Sequence, residues 1–534
     1  MALAAHAGPA ASASPDIIRT LVLGESDDRI AALGRLLAEA DGSAIPFLQA
    51  LHDGHVQVAA GGQALVVVGA ADTGIDTGID TGIDAATGAA VAPLPPDLEQ
   101  VVVNNRMRRE IAAAIAALKL VSPDLATRRA AAKALETSVD EALLPLISTA
   151  LDKEADAQIK AMLTLIRASV QLKSREAATR LAAVKALATS ATGSTKTLLL
   201  GVLERKEGAW VEPDAEIRAE AERSLRAVQS RLSTGEHIAQ IFSGISLGSI
   251  LLLAALGLAV TYGLMGVINM AHGELIMIGA YGTYMVQSLF RNHVPALFDW
   301  YLLAAVPVSF AVAGAVGMLL ERTVIRFMYG RPLETLLATW GISLFLIQAV
   351  RTFFGAQNVQ VENPVWMSGG IALMGNVVLP WNRIVIIGFA LAVLLAVWLA
   401  LTRTRLGLFV RGVTQNRAMA SCMGIHTGRV DAWAFGLGSG IAGLAGCALS
   451  QIGNVGPDLG QSYIVDSFMV VVLGGVGQLA GTVYAALGLG VVNKFLEGWA
   501  GAVIAKIMVL VFIIIFIQKR PQGLFALKGR FADA

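Results

Sequence analysis

The pattern of apolar and polar positions divides the chain into two regimes. From Asp16 to about residue 237, apolar residues recur at three- and four-residue spacings, as at Ile30, Leu33, Leu36 and Leu37, which predicts amphipathic helices that each bury one stripe. From Ile238 onward the polar residues thin out. Apolar runs lie near 241–264, 267–290, 301–320, 335–355, 384–402, 432–452, 464–480, 482–496 and 503–518. Most approach the roughly twenty residues that cross a hydrocarbon layer about 30 Å thick. The expected fold is all-α: a polytopic membrane bundle of about nine spans over residues 238–520, preceded by a soluble helical domain over residues 16–237.

Phrases recur within the first regime. Arg29 stands seven residues before Leu36 and seventeen before Pro46, and Arg128 keeps the same distances from Leu135 and Pro145. TRRAAAKAL at 127–135 returns as TRLAAVKAL at 179–187, and DAQIK at 156–160 returns as DAEIR at 214–218. A unit of this kind cannot bury its apolar stripe alone, so stacking is the physical solution. The pattern resembles a short HEAT-like repeat array; the alternative is a plain helical bundle with Ala-rich coincidences. Val56–Val68 reads as β structure around the Gly61-Gly62 turn, with Val101–Val103 as a partner strand. The TGID repeat at 73–84 places Asp every fourth residue, but it lacks the alternating oxygens and closing Glu of a calcium loop and reads as a surface loop. Residues 1–15 read as a disordered start or the remnant of a signal peptide, with small residues at Ala5 and Ala7 but no basic start and no long apolar core.

Charge adds an orientation. Residues 1–237 hold 24 of the basic and 30 of the acidic residues, a net of −6, whereas residues 238–534 hold 17 and 10, a net of +7. The basic residues of the membrane region crowd into 321–331, 403–429 and 519–530. Basic loops stay on the cytoplasmic side, so the tail 521–534 is expected inside and the N-terminal domain outside, in the periplasm of a bacterium with two membranes.

Candidate chemistry is sparse. Walker A, HExxH, CxxC and nucleophile-elbow patterns are all missing, so nucleotide hydrolysis and common hydrolase chemistry find no home in the chain, and it reads as a non-enzyme without a cofactor. Cys422 and Cys447 fall at different expected membrane depths and suggest neither a disulfide nor a metal site. Nothing points to nucleic acid. Ionisable groups within the spans are costly and mark a pathway or a partner, which singles out Asn269, His272 and Glu274, and also Asp466. The first three sit where one span turns into the next, so they read either as pathway residues or as a cap on a broken helix. Asp466 falls near a helix start, where a carboxylate suits the helix dipole, and the structural reading leads there. Gly436, Gly438, Gly440, Gly443 and Gly446, and later Gly474, Gly475, Gly477 and Gly481, suit closely packed helices that rock between two arrangements.

GLMGVINMAHGELIMIGAY, the basic loop VRGVTQNRAMASCMGIHTGRV and VVLGGVGQLAGTVYAALGLG followed by KRPQGLF together resemble the permease family of branched-chain amino acid ABC importers, over about residues 240–530. Within that family, GGVGQLAGTV, VVNKFLEGWAGAV and the N-terminal extension with VVVNNRMRREI resemble the urea-type branch. The resemblance implies a permease subunit importing urea as its small-molecule substrate. It would work with a second homologous permease, cytoplasmic ATPases that bind ATP and Mg, and a periplasmic solute-binding protein, in the lipid of the bacterial inner membrane. Branched-chain amino acids or short amides are the near alternative; a secondary transporter, a passive urea channel or a membrane-anchored scaffold are alternatives of other classes. The segment 403–431 is then the expected coupling loop, with Arg411, Gln415, Asn416, Arg417, Ala418, Met419 and Gly424 as the coupling residues and 418–424 as a short helix ending at a Gly stop. Met419, Met423 and Ile425 are expected to be buried in such a docking element.

Overall fold

The computed structural model describes residues 15–39, 44–59, 64–68, 81–85, 90–91, 95, 97–136, 143–374 and 377–525. The chain divides into two compact units, Met1–Leu232 and Ser233–Ala534.

The first unit opens with helices α1 (Pro15–Leu23), α2 (Ser26–Glu39) and α3 (Ile45–Asp53). An antiparallel sheet follows, built from β1 (Val56–Ala59), β2 (Ala64–Val68), β3 (Thr81–Asp84), β4 (Ala90–Val91) and β5 (Leu98–Gln100) in the order β4-β3-β2-β1-β5. The strand pairing with β1 is β5, with Gln57 opposite Gln100, so it lies just before the expected Val101–Val103. Val101 contributes only a backbone N–H to the carbonyl of Val56. The last copy of the TGID repeat, Thr81–Asp84, is β3 and pairs with β2, because Ile83 and Val66 sit opposite each other in a ladder that a surface loop would not form. The earlier copies, residues 1–14 and the tail 526–534 lie outside the described residues.

Helices α4 (Asn105–Lys119), α5 (Leu125–Leu135), α6 (Leu144–Lys153), α7 (Ala157–Gln171), α8 (Ala177–Leu187) and α9 (Gly193–Val202) continue the unit, with the hairpin β6 (Arg205–Lys206) and β7 (Ala209–Trp210) after them. The recurring phrases have a common geometry. Arg128 donates from Nη1 to the carbonyls of Ser122 and Pro123 at 3.0 and 3.1 Å, and pairs in fork fashion with Glu154. Arg180 repeats this on Ser174, Arg175 and Glu212, and Arg218 reaches the carbonyls of Glu212 and Pro213 at 2.8 Å. Each arginine thus reaches back from the first turn of its helix to two carbonyls just before that helix, and Arg128 and Arg180 also hold a glutamate that follows α6 and β7 respectively. Glu154 and Glu212 are almost fully buried, and a buried carboxylate is tolerable only with such a partner.

Helix α10 (Ala215–Met265) runs for 51 residues across the division between the units. The second unit continues with α11 (His272–His293), α12 (Tyr301–Thr323), α13 (Pro332–Phe354), the hairpin β8 (Gly370–Met374) and β9 (Val377–Pro380), and α14 (Trp381–Arg403). Then come α15 (Arg405–Gln415), α16 (Arg417–Cys422), α17 (Thr427–Ser450), α18 (Leu459–Gly474), α19 (Leu479–Ala500) and α20 (Ala502–Lys519). Among the described residues, seven helices are long and apolar enough to cross a membrane: Ala215–Gly263, Pro295–Phe327, Leu333–Phe354, Trp381–Arg403, Thr427–Ser450, Leu479–Ala500 and Ala502–Lys519.

Two of the nine expected spans are not in that set, each for a physical reason. Helix α18 has 16 residues, which at 1.5 Å each covers about 24 Å and falls short of the hydrocarbon thickness. Helix α11 is diluted by His272, Glu274, Thr283 and Gln287, yet all four are buried. Most of α11 is enclosed by other helices, with Met285 and Leu289 exposed, and an enclosed face does not need a lipid-compatible surface. Helix α17 is enclosed in the same way, with Gly436, Gly440 and Gly443 against α12 and Gly438 against α10. Outer helices present apolar side chains outward: Phe345 of α13 is 71% exposed and Phe512 of α20 is 57% exposed, as lipid-facing residues are.

Candidate functional site

The break between α10 and α11 is the most polar buried place in the second unit. Helix α10 ends at Met265, and Gly266 takes a φ of +67°, a left-handed turn that only glycine adopts without strain. The chain then doubles back, because His272, the first residue of α11, reaches the carbonyl of Ala254 with Nε2 at 3.0 Å. Ala254 lies eleven residues before the end of α10, so α11 begins well inside the bundle. Gly257 makes room for this: a Cβ there would stand 2.9 Å from the imidazole Cε1 and 2.5 Å from the carbonyl of Gly438. Gly273 is seated against α18, where a Cβ would stand 2.6 Å from the carbonyl of Gly460.

Helix α13 supplies the other wall. Thr339 Oγ1 accepts the backbone N–H of Met270 at 3.1 Å, and Ser343 Oγ donates to Glu274 Oε1 at 2.6 Å. Asn269 turns its Oδ1 onto the N–H of Ala271 at 3.0 Å, which caps the broken start. The cap reading and the pathway reading of Asn269–Glu274 therefore meet in one cluster. Asn269, His272, Glu274, Thr339 and Ser343 are all buried. Within it Asn269 Nδ2, His272 Nδ1 and Glu274 Oε2 have no hydrogen-bond partner among the described residues. Since the carbonyl of Ala254 only accepts, His272 carries its proton on Nε2, and Nδ1 presents a lone pair. One donor and two acceptors are thus left open in a buried place, where an unmet polar group costs on the order of 1–3 kcal/mol.

Sequence reasoning passed over Thr339 and Ser343. The signal for them was Thr335, Thr339 and Ser343 recurring every fourth residue, a stripe of hydroxyls on one face of an otherwise apolar helix, and all three are buried. Asp466 is not part of this cluster. It pairs with Lys506 of α20 at 3.2 Å, which gives that carboxylate a structural partner.

The basic segment forms two short helices. Asn416 caps α16 by accepting the N–H of Met419 at 2.9 Å, and Gly424, with a φ of +84°, turns the chain after it. Arg417 pairs with the buried carboxylate of Asp431 on α17 and lies 4.8 Å above the ring of Tyr329. Tyr329 in turn donates to Glu321 at 3.1 Å. Arg417 thereby joins α16 to α17 and to the turn after α12. Arg411 donates from Nε to the carbonyl of Gly407 in its own helix at 3.2 Å. Gln415, Ala418 and Met419 are exposed. Met419 and Met423 were expected to be buried but are 60% and 77% exposed, while Ile425 is half-buried. With Leu406, Phe409 and Trp433, Met423 and Ile425 line an apolar groove of about 490 Å³.

Residues 240–518 match the family described as "Branched-chain amino acid transport system / permease component". The chain is 29% identical over 298 residues to the high-affinity branched-chain amino acid transport system permease protein BraD of Pseudomonas aeruginosa, a match that covers 54% of this chain and 95% of BraD. It is 30% identical over 292 residues to the corresponding protein LivH of Escherichia coli, covering 53% and 94% respectively. A shorter match, 32% over 112 residues, covers 20% of this chain and 35% of the ribose import permease protein RbsC of Escherichia coli. No solved structure matches the chain.

Proposed function

The chain belongs to the permease-component family of branched-chain amino acid ABC transport systems, and from that premise we propose that it passes a small amino acid across the membrane by way of the Asn269–Glu274 and Thr339–Ser343 cluster. The observation that carries this reading is Glu274. Its carboxylate is buried, one oxygen is held by Ser343 and the other is open, and the ammonium group of an amino acid would compensate that charge. The names of BraD and LivH support the same substrate class.

Urea is the second reading. One open donor, Asn269 Nδ2, and two open acceptors, His272 Nδ1 and Glu274 Oε2, match a molecule with one carbonyl and several N–H groups. It would leave the charge of Glu274 without a counter-ion, which is why the amino acid comes first.

ATP and Mg would be held by separate ATPase subunits that seat on α15 and α16, with the exposed Met419 and Met423 as the yielding apolar contact and Arg417 passing the push to Asp431 on α17. A second permease and a periplasmic binding protein would complete the importer. The concentration of basic residues supports an orientation with the α15–α16 end in the cytoplasm and the N-terminal unit in the periplasm, in the inner membrane. The repeated arginine hooks support reading part of the first unit as a HEAT-like stack.

Uptake of labelled leucine and labelled urea at low concentration, in cells lacking this gene and in cells carrying it, tests the substrate. Gene-dependent leucine uptake that excess urea does not compete supports the amino acid reading. Gene-dependent urea uptake with leucine uptake unchanged rejects it.

A further inference from the structure

A second polar cavity lies apart from Glu274. It is bounded by Ser246 and Ile250 of α10, Arg383 of α14, Leu449, Ile452 and Gly453 around the end of α17, Tyr463 of α18 and Lys494 of α19, and measures about 190 Å³. Arg383 is the third residue of α14, and its neighbour Asn382 donates to the carbonyl of Gln451, which fixes the start of that helix against the end of α17. Two cations from different helices line this cavity, and their charges are not equally met. Lys494 is paired with Glu497 at 2.6 Å. The guanidinium of Arg383 has neither a carboxylate nor a hydrogen-bond acceptor among the described residues, and it is only half exposed. The cavity therefore carries one uncompensated positive charge. Ser246 adds a fully buried hydroxyl with no partner among the described residues, on the same lining.

A partly enclosed guanidinium without an anion is poorly solvated and binds oxyanions through a planar fork of donors. At about 30 Å³ per water the cavity has room for some six waters, enough for one carboxylate or phosphate group with bridging water. We propose that this cavity is a binding site for a single oxyanion group, a phosphate or a carboxylate, held by Arg383 with Ser246, Tyr463 and Lys494 as supporting donors. The group has two possible sources: the headgroup of an anionic phospholipid, or a free anion in solution.

The test is thermal unfolding of the purified full chain in neutral detergent at constant ionic strength. Three probes are used: inorganic phosphate, phosphatidylglycerol and the net-neutral phosphatidylcholine. The proposal expects phosphatidylglycerol, inorganic phosphate or both to raise the midpoint by several degrees, and phosphatidylcholine to do so less. A response to phosphatidylglycerol alone assigns the site to a lipid headgroup, and a response to phosphate as well assigns it to a free anion. Arg383→Gln should weaken the responding anion about tenfold, whereas Arg383→Lys, which keeps the charge but not the fork, should retain part of the response. Gly453→Leu keeps all the charges and adds bulk where a Cβ meets nothing within 4 Å, and it should weaken the same anion. If no anion shifts the wild-type chain, or if Arg383→Gln and Gly453→Leu both respond as the wild type does, the proposal is overturned.

Discussion

At the scale of single residues, the account turns on which buried groups are satisfied and which are not. Ser343 is the only hydrogen-bond partner of the Glu274 carboxylate among the described residues, so Ser343→Ala leaves both carboxylate oxygens open, and Glu274→Gln removes the charge while keeping the shape. Both should lower substrate uptake about tenfold or more at an unchanged amount of protein in the membrane, where tenfold corresponds to about 1.4 kcal/mol. Uptake equal to wild type in both variants would remove Glu274 from the pathway. In the first unit, Arg128 and Arg180 hold the carboxyls of Glu154 and Glu212 below the usual carboxylate range, chiefly by hydrogen bonding to the charged form. A group whose pKa is depressed on folding contributes stability that is complete above its unfolded pKa and is lost as the pH falls through the folded value. The α5–α9 region should therefore loosen in acid, below the ordinary carboxylate range of about 4. Glu154→Gln should be less stable at neutral pH and lose less on acidification, as read by hydrogen exchange of α5–α7 corrected for the intrinsic rate. The Asn269, His272 and Glu274 positions were legible as residue types out of place in an apolar run. Their partners Thr339 and Ser343 were not, because a threonine or serine in a membrane helix is commonplace until its four-residue spacing is set against the helix that it faces.

At the scale of elements, glycine decides how closely α10, α11, α12 and α17 approach. A Cβ on Gly446 would fall 2.7 Å from the backbone nitrogen of Ala280, and the carbonyl of Ile276 is nearer still, so neither neighbour is a flexible tip that can yield. Gly446→Ala should thus destabilise the bundle by about 1–3 kcal/mol, the usual cost of overpacking, and lower its thermal midpoint in detergent. Gly488→Ala, where a Cβ meets nothing within 4 Å, should be neutral or slightly stabilising through helix propensity. An expected apolar run overlaps each of the helices α10 to α14 and α17 to α20, but none marked α15. What the apolar pattern could not supply is that α11 starts inside the bundle, since hydropathy reports how apolar a run is and not where it begins in depth. The 51-residue α10 escaped for a related reason: its amphipathic first part and its apolar second part are two patterns on one uninterrupted helix. The strand β3 was hidden by Gly and Asp, residues that favour turns, and only pairing with β2 makes it extended.

At the scale of the whole molecule, the family assignment covers the second unit, and residues 1–239 lie outside the match. A permease of this class has no nucleotide site of its own and has to be worked from outside. The exposed methionines and apolar groove of α15–α17 are where the proposed ATPases would grip. Arg417→Glu would set a second negative charge beside Asp431 and break the tie between α16 and α17. It should abolish stimulated ATP hydrolysis and transport while substrate binding to the solute-binding protein stays intact. Hydrolysis and uptake equal to wild type would detach Arg417 from coupling.

The most direct test of the central claim is uptake of labelled leucine into proteoliposomes holding this chain, its partner permease and the ATPase subunits, with the binding protein added outside. The account predicts accumulation that requires ATP inside the vesicle and falls about tenfold or more with Glu274→Gln. Equilibration of leucine without ATP, or full accumulation by the Glu274→Gln chain, would contradict it.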